Sequence, residues 1–374
     1  MSGSDVHFQS NPGWFEPRDT RSVLAFHQKL PGYQPTPLRS VPLVAERLGV
    51  QQVWVKDEQN RLGLPAYKIL GAAWATVQEL QARFGPFQDW ASLSELSSQL
   101  SEHLPLTLVA ATDGNHGRAV ARMARWLGLQ AHILVPEDMA AARQEAILSE
   151  GATLQQVSGS YDVAVEEAAL LAGPQHIVIS DTSWDSYTRV PAWVVEGYST
   201  IFAEVSAQLA DLQEPEPDVV SVQMGVGSLA AAVVQHYRQQ GFQTRVVGTE
   251  PLSAACVLRS LQAGTPTEVP GPHPSIMAGL NCGNISPLAW PLLQKGLSVT
   301  VGLTDDWTRQ AMRLLARDGV VSGESGAAGL AGLLCLKDQH PALWEQVQGQ
   351  RILLINTEGA TDPEGYARVL QDQR

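Results

Sequence analysis

Cysteine and lysine are the scarce residues of this chain. The 374 residues include three cysteines, Cys256, Cys282 and Cys335. They are too few for a disulfide framework and lack metal-ligand spacing, so no metal site is expected. Positive charge is also short: 25 Lys and Arg stand against 38 Asp and Glu, a net charge of −13. That balance argues against nonspecific binding to nucleic acid or to an anionic membrane. No apolar run reaches the roughly 18 residues of a membrane span. The first twenty residues are polar and have no apolar core, so no signal peptide is expected and cytoplasm is the default location. Apolar content of 44% and charged content of 17% describe a compact globular chain, not a disordered one. Its length exceeds one small core and points to two domains or one large α/β unit.

Strand and helix signals alternate along most of the chain. Residues 1–35 read as an irregular arm with one short helix, Val23 to Leu30. A helix over Val41 to Leu48 and a strand over Gln52 to Lys56 follow. A further helix begins near Lys68 and runs to about Phe84, and 86–106 reads as a surface helix and loop. Buried strands are expected at Leu106 to Ala111, Ala131 to Val135, Gln155 to Val157 and Ile177 to Ile179. Helices lie between them over Arg118 to Leu127, Met139 to Glu150 and Asp162 to Leu171. The second half repeats the style. It has one long helix, Trp193 to Leu209, strands at Val219 to Gln223, Arg245 to Val247 and Ile352 to Ile355, and helices at Leu229 to Arg238, Asp305 to Asp318 and Ala327 to Leu336. Residues 262–288 read as a long Gly/Pro-rich loop. Such spacing means βαβ units and parallel sheets, which bind ligands beyond the carboxyl ends of their strands.

Three of those ends carry chemistry. Only five of the basic residues are lysines, and Lys68 closes the stretch Asp57-Glu58-Gln59-Asn60-Arg61-Leu62-Gly63-Leu64-Pro65-Ala66-Tyr67-Lys68. Pro65 suits a first helical turn. Ile69, Leu70, Ala73, Trp74, Val77 and Leu80 then form a helix-period apolar stripe. A helix start and burial would both push Lys68 toward the neutral amine, the form that condenses with a carbonyl. The chemistry this suits is a Schiff base with pyridoxal phosphate; the alternative is an ordinary solvated lysine. Lys56 belongs to a charged cluster with Asp57 and Glu58, and Lys29, Lys295 and Lys337 read as surface lysines. In Gly225-Val226-Gly227-Ser228, free backbone N–H groups and a hydroxyl at a helix start suit a phosphate, although many βα turns are glycine-rich. Thr112-Asp113-Gly114-Asn115-His116-Gly117 places an amide and an imidazole at another helix start. It reads either as a capped tight turn or as a ligand-binding turn, with His116 a weak candidate for a general base.

These stretches, with Gly323-Glu324-Ser325-Gly326-Ala327, stand in the order seen in fold-type II pyridoxal-phosphate enzymes. The chain resembles the diaminopropionate ammonia-lyase family within that group over about residues 25–365. His27-Gln28-Lys29-Leu30-Pro31-Gly32-Tyr33, Asp181-Thr182-Ser183-Trp184, Ile276-Met277-Ala278-Gly279-Leu280-Asn281-Cys282-Gly283 and Thr357-Glu358-Gly359 extend the likeness. Dehydratases more often carry serine where this chain has Asp113.

The resemblance implies two parallel-sheet α/β domains with the cofactor in the cleft between them. The expected large domain is 1–77 plus 185–374, and the small one 78–184. It implies α,β-elimination of D- and L-2,3-diaminopropionate to pyruvate and ammonia, by a homodimer. Lys68 resembles the Schiff-base lysine and the base for the L-substrate, and Asp113 resembles the base for the D-form. A lysine and a carboxylate on opposite faces can each reach the Cα proton of one enantiomer. Asp181, with Asp113, would hold the substrate's β-ammonium. Asn115 resembles the residue bonded to the ring oxygen, and Gly225, Val226, Gly227 and Ser228 the phosphate cradle. Thr357, or a neighbour, would face the pyridine nitrogen. Cys256 and Cys282 match family cysteines and read as two free thiols or a disulfide. Pro65 and Tyr67 depart from the family's Asn and Phe, and Asn356 stands where serine is expected. A serine, threonine or hydroxyaspartate dehydratase of the same fold, or a noncatalytic ligand-binding α/β protein, are the alternatives.

Overall fold

The computed structural model describes residues 3–10, 12–112, 114–239 and 242–372. Eleven strands follow in chain order: β1 (Ser4–Phe8), β2 (Leu38–Ser40), β3 (Gln52–Asp57), β4 (Thr107–Ala111), β5 (Gln130–Pro136), β6 (Thr153–Val157), β7 (His176–Val178), β8 (Val219–Gln223), β9 (Arg245–Pro251), β10 (Val299–Leu303) and β11 (Arg351–Asn356). The contacts divide the chain into two compact units. The first is Met1–Asp19, Pro35–Asn60 and Ile201–Arg374; the second is Thr20–Gln34 and Arg61–Thr200. The block 78–184 lies inside the second, which also takes in 20–34, 61–77 and 185–200, stretches expected in the large domain.

The first unit carries a seven-stranded sheet in the order β1-β10-β9-β8-β11-β3-β2. Its five inner strands are parallel, and β1 and β2 pair antiparallel at the two edges. Every residue of β8 and β10 is buried, as strands covered on both faces must be. One core cluster joins Val53 and Ile352 of the sheet to Ala311 and Leu315 on the helix Asp305–Arg317 and to Leu330 and Leu334 on the helix Ala328–Gln339. Three strands, β1, β2 and β10, are absent from the sequence reading. Ser4–Phe8 lies within the arm expected to be irregular, yet pairs residue for residue with β10. β10 itself, Val-Thr-Val-Gly-Leu, carries a threonine and a glycine and gave no continuous apolar run.

The second unit holds a four-stranded parallel sheet, β6-β5-β4-β7, with β4 buried throughout. Here the single helix expected over 193–209 is two, Arg189–Gly197 and Ser199–Asp211. The first of these packs against the helix Ile69–Phe84 with backbones almost touching. A Cβ on Gly197 would stand 2.6 Å from the Leu70 carbonyl oxygen, and one on Gly71 would stand 2.6 Å from the Tyr198 ring. Both glycines are there because only a missing side chain allows that approach. His27 ties the same region together, with its Nδ1 2.7 Å from the Thr200 hydroxyl and its Nε2 2.9 Å from the Leu70 carbonyl. No helix among the described residues is long and apolar enough to cross a membrane.

Candidate active site

In the second unit a tight turn delivers Lys68. Arg61 and Leu64 bridge each other, with Leu62 and Gly63 at φ 55° and 72°. The chain then enters the helix Ile69–Phe84 with Lys68 as its N-cap residue. Lys68 Nζ donates to Asp181 Oδ2 at 2.6 Å, and the Tyr161 hydroxyl donates to Asp181 Oδ1 at 2.9 Å. Asp181 lies just beyond β7 and is buried. Burial alone would raise its carboxyl; the Lys68 ammonium overrides that and holds it well below the usual carboxylate range. The pair also acts back on the lysine. A carboxylate at contact distance stabilises the ammonium, so the neutral amine expected from a helix start and burial is not what this geometry favours.

The second strand end of this unit is pinned by a residue that sequence reasoning passed over. After β4, the Thr112 hydroxyl accepts from the backbone N–H groups of Gly114 (2.8 Å) and Gly117 (2.9 Å). This fixes the turn that opens the helix Asn115–Leu127. Gly114 takes φ 140°, and a Cβ on Gly117 would collide with Thr112 Cγ2. The signal available was a hydroxyl residue two and five positions before glycines at a helix start. Asn115 is the first residue of that helix and is partly exposed. His116 is buried, and its Nε2 donates to the Ile179 carbonyl at 2.7 Å. Asp113 lies outside the described residues. Lys68, Asp181 and His116 are therefore brought together, with Nδ1 of His116 3.9 Å from Asp181 Oδ2.

The first unit carries candidate groups of its own. β8 runs into Gly225-Val226-Gly227-Ser228, and Ser228 starts the ten-residue helix Ser228–Tyr237. A Cβ on Gly225 would press on Cys282 Sγ at 3.1 Å and the Gly279 carbonyl at 3.2 Å. Gly227 takes φ 98°. The turn therefore presents backbone N–H groups at a helix start with no side chain over its two glycines, a fit for a phosphate. On the adjacent strand β11, Thr357 follows Asn356. Its Oγ1 accepts from Gln223 Nε2 at 2.6 Å, which leaves the hydroxyl's own proton to be donated, as an unprotonated ring nitrogen requires. Gln223 is aimed by further donation to the carbonyls of Ile355 (3.0 Å) and Gly326 (3.2 Å). The Glu358 carboxylate accepts from Ser325 N–H at 3.1 Å and lies beside the turn Gly323–Gly326. Amine, hydroxyl and cradle are the groups that pyridoxal phosphate needs.

A family model described as pyridoxal-phosphate dependent enzyme matches residues 29–358. The chain is 35% identical to the diaminopropionate ammonia-lyase of Escherichia coli (strain K12), over 95% of this chain and 92% of that protein. It belongs to the diaminopropionate ammonia-lyase family. It is thus a pyridoxal-phosphate-dependent ammonia-lyase of fold type II. The crystal structure of the Escherichia coli diaminopropionate ammonia-lyase in complex with D-serine matches it with a TM-score of 0.90 and 32% identity, over 99% of this chain and 97% of that one. The same lyase in complex with an aminoacrylate–PLP azomethine reaction intermediate matches with a TM-score of 0.87, 31% identity and the same coverage.

Within this ammonia-lyase fold, Cys256 and Cys282 are buried, and Cys256 Sγ points at the Gly225 carbonyl, 3.7 Å away. Lys56 is not a loosely solvated lysine. It is fully buried, donating to the Thr36 carbonyl (2.7 Å), to Gln208 (2.9 Å) and to Glu204 (2.7 Å). It fastens the chain near β2 and β3.

Proposed function

We propose that the chain catalyses α,β-elimination of 2,3-diaminopropionate, in both D and L forms, to pyruvate and ammonia. The observation that carries this reading is Lys68 Nζ at 2.6 Å from Asp181 at a helix start, in a chain akin to the Escherichia coli lyase over nearly its whole length. In this reading Lys68 would hold the cofactor. Gly225, Val226, Gly227 and Ser228 would bind its phosphate, Asn115 its ring oxygen, and Thr357 its ring nitrogen. Bound there, pyridoxal phosphate supplies the electron-withdrawing system that acidifies the substrate Cα–H. Lys68 then takes the Cα proton of the L-substrate, and Asp113 that of the D-substrate. Asp181, its carboxyl held ionised, receives the β-ammonium once the lysine nitrogen is displaced.

A neutral hydroxyl at the ring nitrogen fits this division of labour, because elimination needs less electron withdrawal than a protonated ring supplies. The same reading includes a homodimer, checked by light scattering, and a cytoplasmic location, checked by fractionation. The test of function is pyruvate release from D- and L-2,3-diaminopropionate beside L-serine and L-threonine. Lys68→Ala is expected to abolish turnover of both enantiomers, and Asp113→Asn to spare the L-form. Strong preference for serine or threonine would make the chain a dehydratase. Failure on all four substrates by cofactor-loaded protein would overturn the assignment.

A further inference from the structure

His116 has no role in the reading above, yet its surroundings are specific. The ring is buried. Its Nε2 faces the Ile179 carbonyl at 2.7 Å. A carbonyl only accepts, so Nε2 carries a proton and, in the neutral ring, Nδ1 carries a lone pair. That Nδ1 is buried and makes no hydrogen bond among the described residues. It faces Asp181 Oδ2 at 3.9 Å, the same oxygen that accepts from Lys68 at 2.6 Å. Burial favours the uncharged ring; Asp181 pulls the other way and Lys68 reinforces the burial, with the net direction toward neutral. The start of the helix Asn115–Leu127 adds to that direction. The charged groups that act on the ring are Asp181 and Lys68, with Tyr161 on the far oxygen of the carboxylate.

We propose that His116 is the proton reservoir for Lys68: a proton passes from Lys68 Nζ across Asp181 Oδ2 to His116 Nδ1 whenever the lysine must act as a neutral amine. This inference deepens the proposed elimination, which requires Lys68 to be a nucleophile and a base in each turnover. The step balances. One N–H bond breaks at Nζ and its electron pair stays there as the amine lone pair. The lone pair of Nδ1 forms the new N–H bond, and no other reactant is consumed. Before transfer the trio is Lys⁺, Asp⁻ and neutral His; afterwards it is neutral Lys, Asp⁻ and His⁺. Asp181 is ionised and paired in both states, so the buried cluster keeps the same net charge. Without His116 the proton would have to remain on a carboxylate strongly held in its ionised form. The gap to close is about 1 Å, from 3.9 Å to hydrogen-bond length. His116 touches no reacting atom in this account and acts through Lys68, so it is a positioning residue.

Two measurements test this. The first is nitrogen-15 NMR of the histidine rings in the full chain without cofactor. In the wild type His116 should be the neutral Nε2–H form at pH 7. In Lys68→Ala, where Asp181 faces the ring without the Lys68 ammonium, its titration midpoint should rise by about one pH unit or more. A charged His116 in the wild type, or a midpoint that does not move, overturns the proposal. The second is His116→Gln in the holoenzyme. The glutamine amide can still donate to the Ile179 carbonyl but cannot take a proton. We expect kcat to fall by about 10²-fold, KM to stay within a few fold, and the pH profile of kcat to shift, with the visible absorption of the cofactor retained. Unchanged kcat and pH profile would overturn the proposal. If His116→Gln does not fold, the Lys68→Ala titration decides. If the wild type binds cofactor but eliminates no diaminopropionate, the functional reading fails while the titration still judges the relay.

Discussion

Replacing Gly227 by alanine isolates what the phosphate turn demands of its backbone. Gly227 takes φ 98° and ψ 1°, a conformation that costs a residue with a Cβ about 1–3 kcal/mol. The added carbon would also stand 2.7 Å from Leu293 Cδ1 and 3.2 Å from Ala289 Cβ, and overpacking of that kind costs about 1–3 kcal/mol more. Alanine recovers roughly 0.4–1 kcal/mol by stiffening the unfolded chain. The expected loss is therefore about 3 kcal/mol, the centre of a range of roughly 1–5.5 kcal/mol. Gly264 in the same unit is the control. It takes φ 75°, but a Cβ there meets nothing within 4 Å, so Gly264→Ala should cost at most about 1 kcal/mol. The assay is thermal unfolding of the two variants beside wild type, each with and without pyridoxal phosphate. At roughly 2–4 °C per kcal/mol, Gly227→Ala should lower the midpoint by about 5–15 °C and Gly264→Ala by no more than about 4 °C. Cofactor occupancy, read from visible absorption, should fall only in Gly227→Ala. Equal shifts in the two variants would show that backbone conformation alone sets the cost. A shift of under about 1 °C in Gly227→Ala would refute the reasoning for this turn.

Three further outcomes follow from named contacts. Because the Asp181 carboxyl is held below its unfolded value near 3.9, its stabilisation is present above about pH 4 and is lost as the pH falls through the folded value. The stability gap between wild type and Asp181→Asn, measured by urea titration from pH 7 downward, should thus narrow only on the acid side. Glu150 is the shared partner of Arg118, Arg122 and Arg125, at 3.2, 2.6 and 3.1 Å. Glu150→Gln leaves three guanidinium groups without their anion and should lower unfolding stability by about 2 kcal/mol, discounted for the partial exposure of the arginines. Thr357→Val removes the acceptor of Gln223 Nε2 and should cost about 1 kcal/mol. If the hydroxyl faces the ring nitrogen, it should also move the pH at which the cofactor's visible band changes, with Thr357→Ser restoring both.

Much of this was legible in the sequence because it is local. The strand β4 is apolar from Leu108 to Ala111, and β8 was read to the residue. The lysine, the Asn-His turn and the Gly-x-Gly-Ser turn each announce themselves by residue type beside a helix start. What escaped is held by partners distant in sequence. β1 is a mostly polar strand that exists because β10 lines up with it nearly 300 residues later. The helix expected over 193–209 divides where Gly197 meets the backbone of Leu70 and Gly71, and nothing in residues 193–209 alone shows that approach. The Thr112 hydroxyl is the exception, a local contact that was passed over although its two N–H partners lie within five residues.

Lys68 shows the same division inside the site, and it bears on mechanism. Local rules, a helix start and burial, give a neutral amine. Asp181, 113 residues away, reverses the sign. The carboxylate expected to hold the substrate's β-ammonium is therefore already taken by the lysine's nitrogen. In the proposed reaction the two cations compete for one oxygen, Asp181 Oδ2. Substrate can win it only after Lys68 has moved or given up its charge. If His116 receives the lysine's proton, the carboxylate gains a second cation to pair with, and Lys68 becomes the neutral amine that the local rules had assigned to it. A site that looked contradictory between sequence and structure is then the same site at two points of one proton transfer. Its order of events follows from which nitrogen, Nζ or Nδ1, holds the proton.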